Sequence, residues 1–157
     1  MKKQSLTIEY TEYDSIEELP HKEKELLETA IAALKGSYAP YSHFNVGAAV
    51  RLRNGICVKG SNQENAAYPS GLCAERTAMF SAASRYPEES FEALAVVAAQ
   101  NGKLQPSPSY PCGACRQVMA QYEVKFGKPL KVIVGSAGKI QVFDSVSGIL
   151  PFIFDDI

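Results

Sequence analysis

The run Leu94-Ala95-Val96-Val97-Ala98-Ala99 is apolar at every position, and such a segment must be covered from both sides. A half-buried strand would alternate with polar residues, so the run fits a central strand with helices on both faces of its sheet. The rest of the 157 residues supplies those layers. Leu6-Thr7-Ile8-Glu9-Tyr10 alternates as a short edge strand. Val46 to Arg53 reads as a strand, Asn54-Gly55 as a tight turn, and Ile56 to Gly60 as the returning strand of a hairpin. Leu130-Lys131-Val132-Ile133-Val134 is a further strand, and Lys139 to Phe143 follows the Ala137-Gly138 turn as another.

Helices are expected between these strands. One starts after Pro20, with Leu26, Leu27, Ala30, Ile31 and Leu34 at helical spacing and Gly36 as its stop. A second opens at Cys73 and runs to Arg85. The third starts at Pro111-Cys112, where proline suits a helix start, and ends at Gly127. Ser37 to Ser42 reads as a loop, as does the proline- and serine-rich stretch from Gln100 to Pro111. The expected fold is α/β: a three-layer α/β/α arrangement with a mixed central sheet of about five strands, forming a single domain over residues 1–157.

A formal net charge of −1 gives no reason to expect electrostatic binding to nucleic acid or to an anionic membrane. Met1-Lys2-Lys3 continues into Gln4-Ser5-Leu6-Thr7-Ile8-Glu9, with no apolar signal core, and no apolar run approaches the ~18 residues of a membrane span. The expected compartment is the cytoplasm. In a reducing compartment the four cysteines, Cys57, Cys73, Cys112 and Cys115, suit metal or catalytic roles better than bridges. His21 and His43 read as surface histidines.

Cys112-Gly113-Ala114-Cys115 is a C-x-x-C at an expected helix start, where two sulfurs share a face and can grip one cation. Alone it is equally compatible with a redox pair or with two buried small residues. Cys73-Ala74-Glu75, at another helix start, shifts the balance. Positions i and i+2 converge only on a point in front of the first turn, so both helix starts would face one ion. Three thiolates leave the fourth tetrahedral vertex of Zn²⁺ open for water, whose pKa the metal lowers to about 7. Glu75 is the expected proton shuttle. Arg76 and Arg116 are candidates to donate to the sulfurs, with Arg116 nearly as well explained as a solvated arginine. Cys57, on the returning hairpin strand, is expected to pack as a small apolar residue. A rival reading makes it the fourth ligand of a closed structural site, which leaves Glu75 without a role.

Four blocks, Phe44-Asn45-Val46-Gly47-Ala48-Ala49, Asn62 to Pro69, Cys73 to Ala78 and Pro111 to Val118, resemble the homotetrameric zinc-dependent cytidine deaminase family in order and spacing. The wider zinc-deaminase class pairs a non-ligand glutamate with cysteine ligands. The resemblance implies one Zn²⁺ per subunit on Cys73, Cys112 and Cys115, with Glu75 handling protons. It implies that Asn62 and Glu64 bind the 3′-hydroxyl of the sugar, that Phe44 packs on the pyrimidine, and that the main chain of Ala74 reads the base. The implied substrate is a small pyrimidine nucleoside, cytidine or 2′-deoxycytidine, deaminated in pyrimidine salvage. A tetramer with shared pockets is implied too, Tyr68 reaching the sugar from another chain and Phe154 capping a neighbour's pyrimidine. Tyr110 departs from the family's serine before Pro111, and the segment before Pro20 is longer than in compact members. A blasticidin-like substrate fits less well beside Asn62, Glu64 and Tyr68. Nucleotide deaminases present histidine where Cys73 stands.

Overall fold

The computed structural model describes residues 1–155. Its strands are β1 (Thr11–Tyr13), β2 (Phe44–Leu52), β3 (Cys57–Ser61), β4 (Phe91–Gln100), β5 (Lys103–Leu104), β6 (Lys131–Gly135) and β7 (Ile140–Phe143). The helices are α1 (His21–Ala33), α2 (Ala74–Arg85) and α3 (Gly113–Phe126). One mixed sheet runs β1-β7-β6-β4-β2-β3, with β5 paired to β4. The β4–β6 pair is parallel, as its α3 crossover requires, and the other pairs are antiparallel.

The apolar run lies at the centre, as expected. Leu94 and Val96 point to one core, with Ala78, Met79 and Ala82 of α2 and Met119 and Ala120 of α3. Ala93, Ala95 and Val97 point to the other, against Leu26, Leu27 and Ala30 of α1. Alternate residues of one strand thus feed two separate cores, which gives the three-layer α/β/α fold.

Two glycines set how closely the helices approach the sheet. A Cβ on Gly60 of β3 would sit 2.3 Å from the Ala78 nitrogen and 2.5 Å from the Ala74 oxygen of α2. A Cβ on Gly47 of β2 would sit 2.2 Å from the Ala30 oxygen of α1. Helix backbone therefore lies directly on strand backbone in both layers.

Seven strands replace the expected five or so, two of them very short. The first strand is Thr11–Tyr13 rather than Leu6–Tyr10. Its partner β7 ends at Phe143, and the register Thr11↔Val142 leaves no ladder for residues before Tyr10. Leu6, Ile8 and Tyr10 are exposed. Within the expected 100–111 loop, Asn101 and Gly102 adopt positive φ of 53° and 74°, turning the chain into β5. Asn-Gly is the pair that tolerates two such residues in succession. Among the described residues no helix is long and apolar enough to cross a membrane.

Candidate metal centre and adjoining cavity

The strands β3 and β4 both run antiparallel to β2 and finish at the same edge of the sheet, Ser61 opposite Gly47 and Gln100 opposite Phe44. The chain leaving each enters a helix on the same face, so the starts of α2 and α3 meet there. Cys73 and Cys112 are their N-cap residues, both extended, and neither side chain caps its helix. Their sulfurs turn to each other instead. Cys73 Sγ lies 3.8 Å from Cys112 Sγ, and Cys112 Sγ lies 3.6 Å from Cys115 Sγ. All three sulfurs fall within 4.8 Å of one another. Tetrahedral Zn²⁺ with Zn–S bonds of 2.3 Å needs S···S edges of about 3.8 Å, so the donor set fits that ion.

The surroundings of Cys73 favour its thiolate. Arg76 donates from Nη2 to Cys73 Sγ at 3.3 Å, while its buried Nε has no hydrogen-bond partner. Hydrogen bonding from Cys115, joined by Arg76 and Cys112 and opposed by burial, brings the Cys73 pKa down to about 5. Cys115 moves the other way, raised by its bond to Cys73 and by burial. Cys73 and Cys115 thus shift in opposite directions, and a divalent cation is the simplest means of holding the sulfurs of the cluster as thiolates.

Glu75, in the first turn of α2, is buried to 4% exposure. Burial raises its carboxyl pKa above the usual range, and the nearby Cys73 adds to the rise; its own backbone N–H, Cys115 and Arg76 work against it. A carboxyl held protonated further toward neutrality, beside three sulfurs, is suited to moving protons.

A cavity of about 430 Å³ opens beside Cys73 and Arg76, walled further by Tyr41, Ser42, Asn62, Glu64, Tyr68 and Leu72. Of the residues expected to meet a nucleoside, Asn62, Glu64 and Tyr68 line it. Phe44, Ala74 and Glu75 lie outside its wall, as do Cys112 and Cys115. Asn62 Oδ1 accepts from the Val46 nitrogen at 2.8 Å and from Ser37 Oγ at 2.5 Å, while its Nδ2 donates to the Phe44 oxygen at 2.9 Å. Glu64 Oε2 accepts from the nitrogens of Tyr41 at 2.9 Å and Ser42 at 3.2 Å, and Oε1 accepts from the Ser42 hydroxyl. The Ser42 bond leads in holding the Glu64 carboxyl below its ordinary pKa, and these two N–H donors reinforce it. Both side chains also fasten the 37–46 loop, a structural duty that adds to the expected one. Ser42 and Tyr41 had no signal of their own, since their segment reads only as a loop broken by Pro40.

Two expectations need correction, and one rival reading falls. Arg116 does not reach the sulfurs; it donates to the oxygens of Pro111 at 2.7 Å and Ile149 at 2.6 Å, tying the C-terminal segment to the start of α3. Cys57 is exposed rather than packed. Nor is Cys57 the fourth ligand, since it lines a groove with Glu25, Glu28 and Thr29 of α1, across the sheet from the cluster. The ring of Phe154 is 66% exposed, its main chain clipped to Gln117 of α3. His21 and His43 are exposed, as expected.

Residues 20–128 match the family model described as the cytidine and deoxycytidylate deaminase zinc-binding region. A cytidine deaminase of Halalkalibacterium halodurans is 43% identical over 130 residues, covering 82% of this chain and 91% of that protein. A cytidine deaminase of Sporosarcina psychrophila is 46% identical over 99 residues, covering 63% of this chain and 68% of that one. The 1.6 Å crystal structure of cytidine deaminase from Burkholderia pseudomallei superposes with a TM-score of 0.72 at 40% identity, covering 87% of this chain and all of that one. The chain thus has the fold of a solved cytidine deaminase and is a member of the cytidine deaminase family.

Proposed function

We propose that the chain catalyses hydrolytic deamination of cytidine and 2′-deoxycytidine to uridine and 2′-deoxyuridine, releasing ammonia in pyrimidine salvage. The observation that carries this reading is the meeting of three sulfurs from two helix starts beside one buried carboxylate. Cys73, Cys112 and Cys115 would hold one Zn²⁺ per subunit. When bound, the ion supplies Lewis acidity, lowering the pKa of water to about 7. Arg76 offsets part of the thiolate charge that would blunt this acidity. Glu75 accepts a proton from the attacking water and delivers it to the pyrimidine ring nitrogen. It then takes the remaining proton from the hydroxyl added at C4 and passes it to the amine, which departs as ammonia as the C4 carbonyl forms. Its raised pKa suits both directions of transfer.

The hydrogen-bond capacity of the cavity supports a sugar hydroxyl. Asn62 has both carbonyl lone pairs engaged and one amide N–H engaged, leaving one N–H to give. Glu64 has three of about four acceptor positions filled, leaving one to receive. One donor and one acceptor from residues lining the same cavity suit a hydroxyl. Phe44, from the start of β2, would pack on the pyrimidine, and the main chain of Ala74 would read its edge. Among the described residues, the cation lining the cavity is Arg76, already bonded to Cys73, which favours a nucleoside over a nucleotide.

Exposed Tyr68, Phe152 and Phe154 support assembly as a homotetramer in which subunits complete one another's pockets. The proposed compartment is the cytoplasm, where reducing conditions keep the three thiols free to bind metal. The test is to incubate the purified protein with cytidine, 2′-deoxycytidine, cytosine and the monophosphates, following ammonia release and metal content. The two nucleosides should turn over with about one zinc per chain. Release from none of them, or from monophosphates alone, would overturn the reading.

A further inference from the structure

The strand β1 lies outside the 20–128 stretch that matches the family model, yet its side chains connect to the loop leading into the cysteine pair. Glu12 stands opposite Gln141 in the β1–β7 ladder. Gln141 Nε2 donates to Glu12 Oε2 at 2.9 Å, and Gln141 Oε1 accepts from the Tyr110 hydroxyl at 2.5 Å. The Gln141 bond, joined by a pair with Lys139 and opposed by burial, lowers the Glu12 pKa and keeps its carboxylate charged. Because an ionised carboxylate only accepts, it fixes which end of the Gln141 amide faces it. The other end, the carbonyl, is then presented to Tyr110. Gln141, at the middle of the series, is nearly buried at 9% exposure, so its amide is shielded from water although Tyr110 and Glu12 are partly open to it.

The series ends beside the metal cluster. Tyr110 adjoins Pro111, which is buried and has a fixed φ, and Cys112 follows as the N-cap of α3. An anchor on the Tyr110 ring therefore fixes where the chain enters the helix that carries two of the three sulfurs. A serine at this position would be too short to span the same gap.

We propose that β1 braces the ligand loop, with Glu12, Gln141 and Tyr110 acting in series as positioning residues that hold the Tyr110-Pro111-Cys112 backbone for metal binding. The proposal rests on the reading of the cysteine cluster as a zinc site. If the bonds only fasten β1 to β7, breaking them lowers thermal stability and leaves metal affinity alone.

The experiment measures zinc affinity by competition with a chromophoric chelator, alongside thermal melting, for wild type, Tyr110→Phe, Gln141→Leu, the pair, Glu12→Ala and Glu12→Gln. Tyr110→Phe and Gln141→Leu should each weaken zinc binding about 3- to 10-fold, less than the loss typical of groups bonded directly to a metal ligand. The pair should be no weaker than the worse single variant, because one connection is cut twice. Glu12→Ala should weaken binding and Glu12→Gln should restore most of it, since a glutamine carbonyl can still accept from Gln141. Glu23→Gln, which breaks the 2.7 Å pair with Lys131 on the α1 face, should lower the melting temperature without moving zinc affinity.

Wild-type affinity in Tyr110→Phe, or losses that multiply in the pair, would overturn the brace while leaving the metal site standing. A wild-type protein that binds no zinc would sink the metal reading and the brace with it. Tyr110 is about half exposed and the substitution removes a single oxygen, so this variant decides the question even if Gln141→Leu fails to fold.

Discussion

Gly60→Ala should separate the stability of the fold from the placement of its site. The added Cβ would meet Ala78 N at 2.3 Å and Ala74 O at 2.5 Å, against ordinary contacts of about 3.5–4.0 Å. Both are backbone atoms of α2, so no side chain can turn aside, and the helix must back away from β3 by roughly 1 Å. Overpacking of this kind costs about 1–3 kcal/mol, or a fall of roughly 3–10 °C in melting temperature for a domain of this size. The same movement carries Cys73 and Glu75 away from Cys112 and Cys115, and a 1 Å misplacement costs on the order of 10²-fold in rate. Gly47→Ala makes an equal overlap against α1, in the layer remote from the cluster. Deamination of cytidine per folded molecule, measured beside melting curves, should fall about 10²-fold in Gly60→Ala and much less in Gly47→Ala, with similar losses of stability. Full turnover in Gly60→Ala, or equal rate losses in the two variants, would refute the reasoning.

Glu75→Gln should retain the metal and the fold but lose about two to four orders of magnitude in kcat, measured by ammonia release beside metal content; unchanged turnover would remove the proton-shuttle role. Asn62→Ala strands the Val46 nitrogen and the Phe44 oxygen, so it should lower stability by about 1–3 kcal/mol and raise KM for nucleosides more than for free cytosine. Equal effects on both substrates would leave Asn62 only its structural part. For Glu23, burial raises the carboxyl pKa but the Lys131 pair outweighs it, and the net shift is downward. Its contribution is therefore present above the unfolded pKa of about 4.3 and is lost as pH falls through the lower folded value. Melting curves should show wild type losing stability on acidification more steeply than Glu23→Gln, and parallel curves would contradict the assignment.

The parts of the fold that sequence made legible are those where local chemistry and tertiary need coincide. The 94–99 run, the Asn54-Gly55 turn, the starts at Pro20, Cys73 and Pro111-Cys112, and Gly127 with its left-handed φ of 60° each declare themselves within a few residues. What escaped depended on distant partners. The β1 register is set by where β7 ends, which nothing in Leu6–Tyr10 records. Asn101-Gly102 carries the same turn signal as Asn54-Gly55, but only two strand residues follow before the proline-rich loop. The placement of Cys57 turned on which face of β3 it occupies, and a five-residue strand at the sheet edge with only weak alternation leaves that open. Arg116 sits one residue after Cys115, yet its partners are carbonyls 5 and 33 positions away. The juxtaposition of the cysteines was readable because two helix starts with sulfur at the cap can share a ligand in only a few ways. The loop duties of Asn62 and Glu64 were not, since they require knowing how 37–46 folds back over 62–64.

X-ray absorption at the zinc edge, on purified wild-type protein and on Cys57→Ser, tests the central claim most directly. Both proteins should show about one zinc per chain with three sulfurs at about 2.3 Å and one lighter oxygen or nitrogen donor. A fourth sulfur that disappears in Cys57→Ser, or fewer than three sulfurs in wild type, would contradict it.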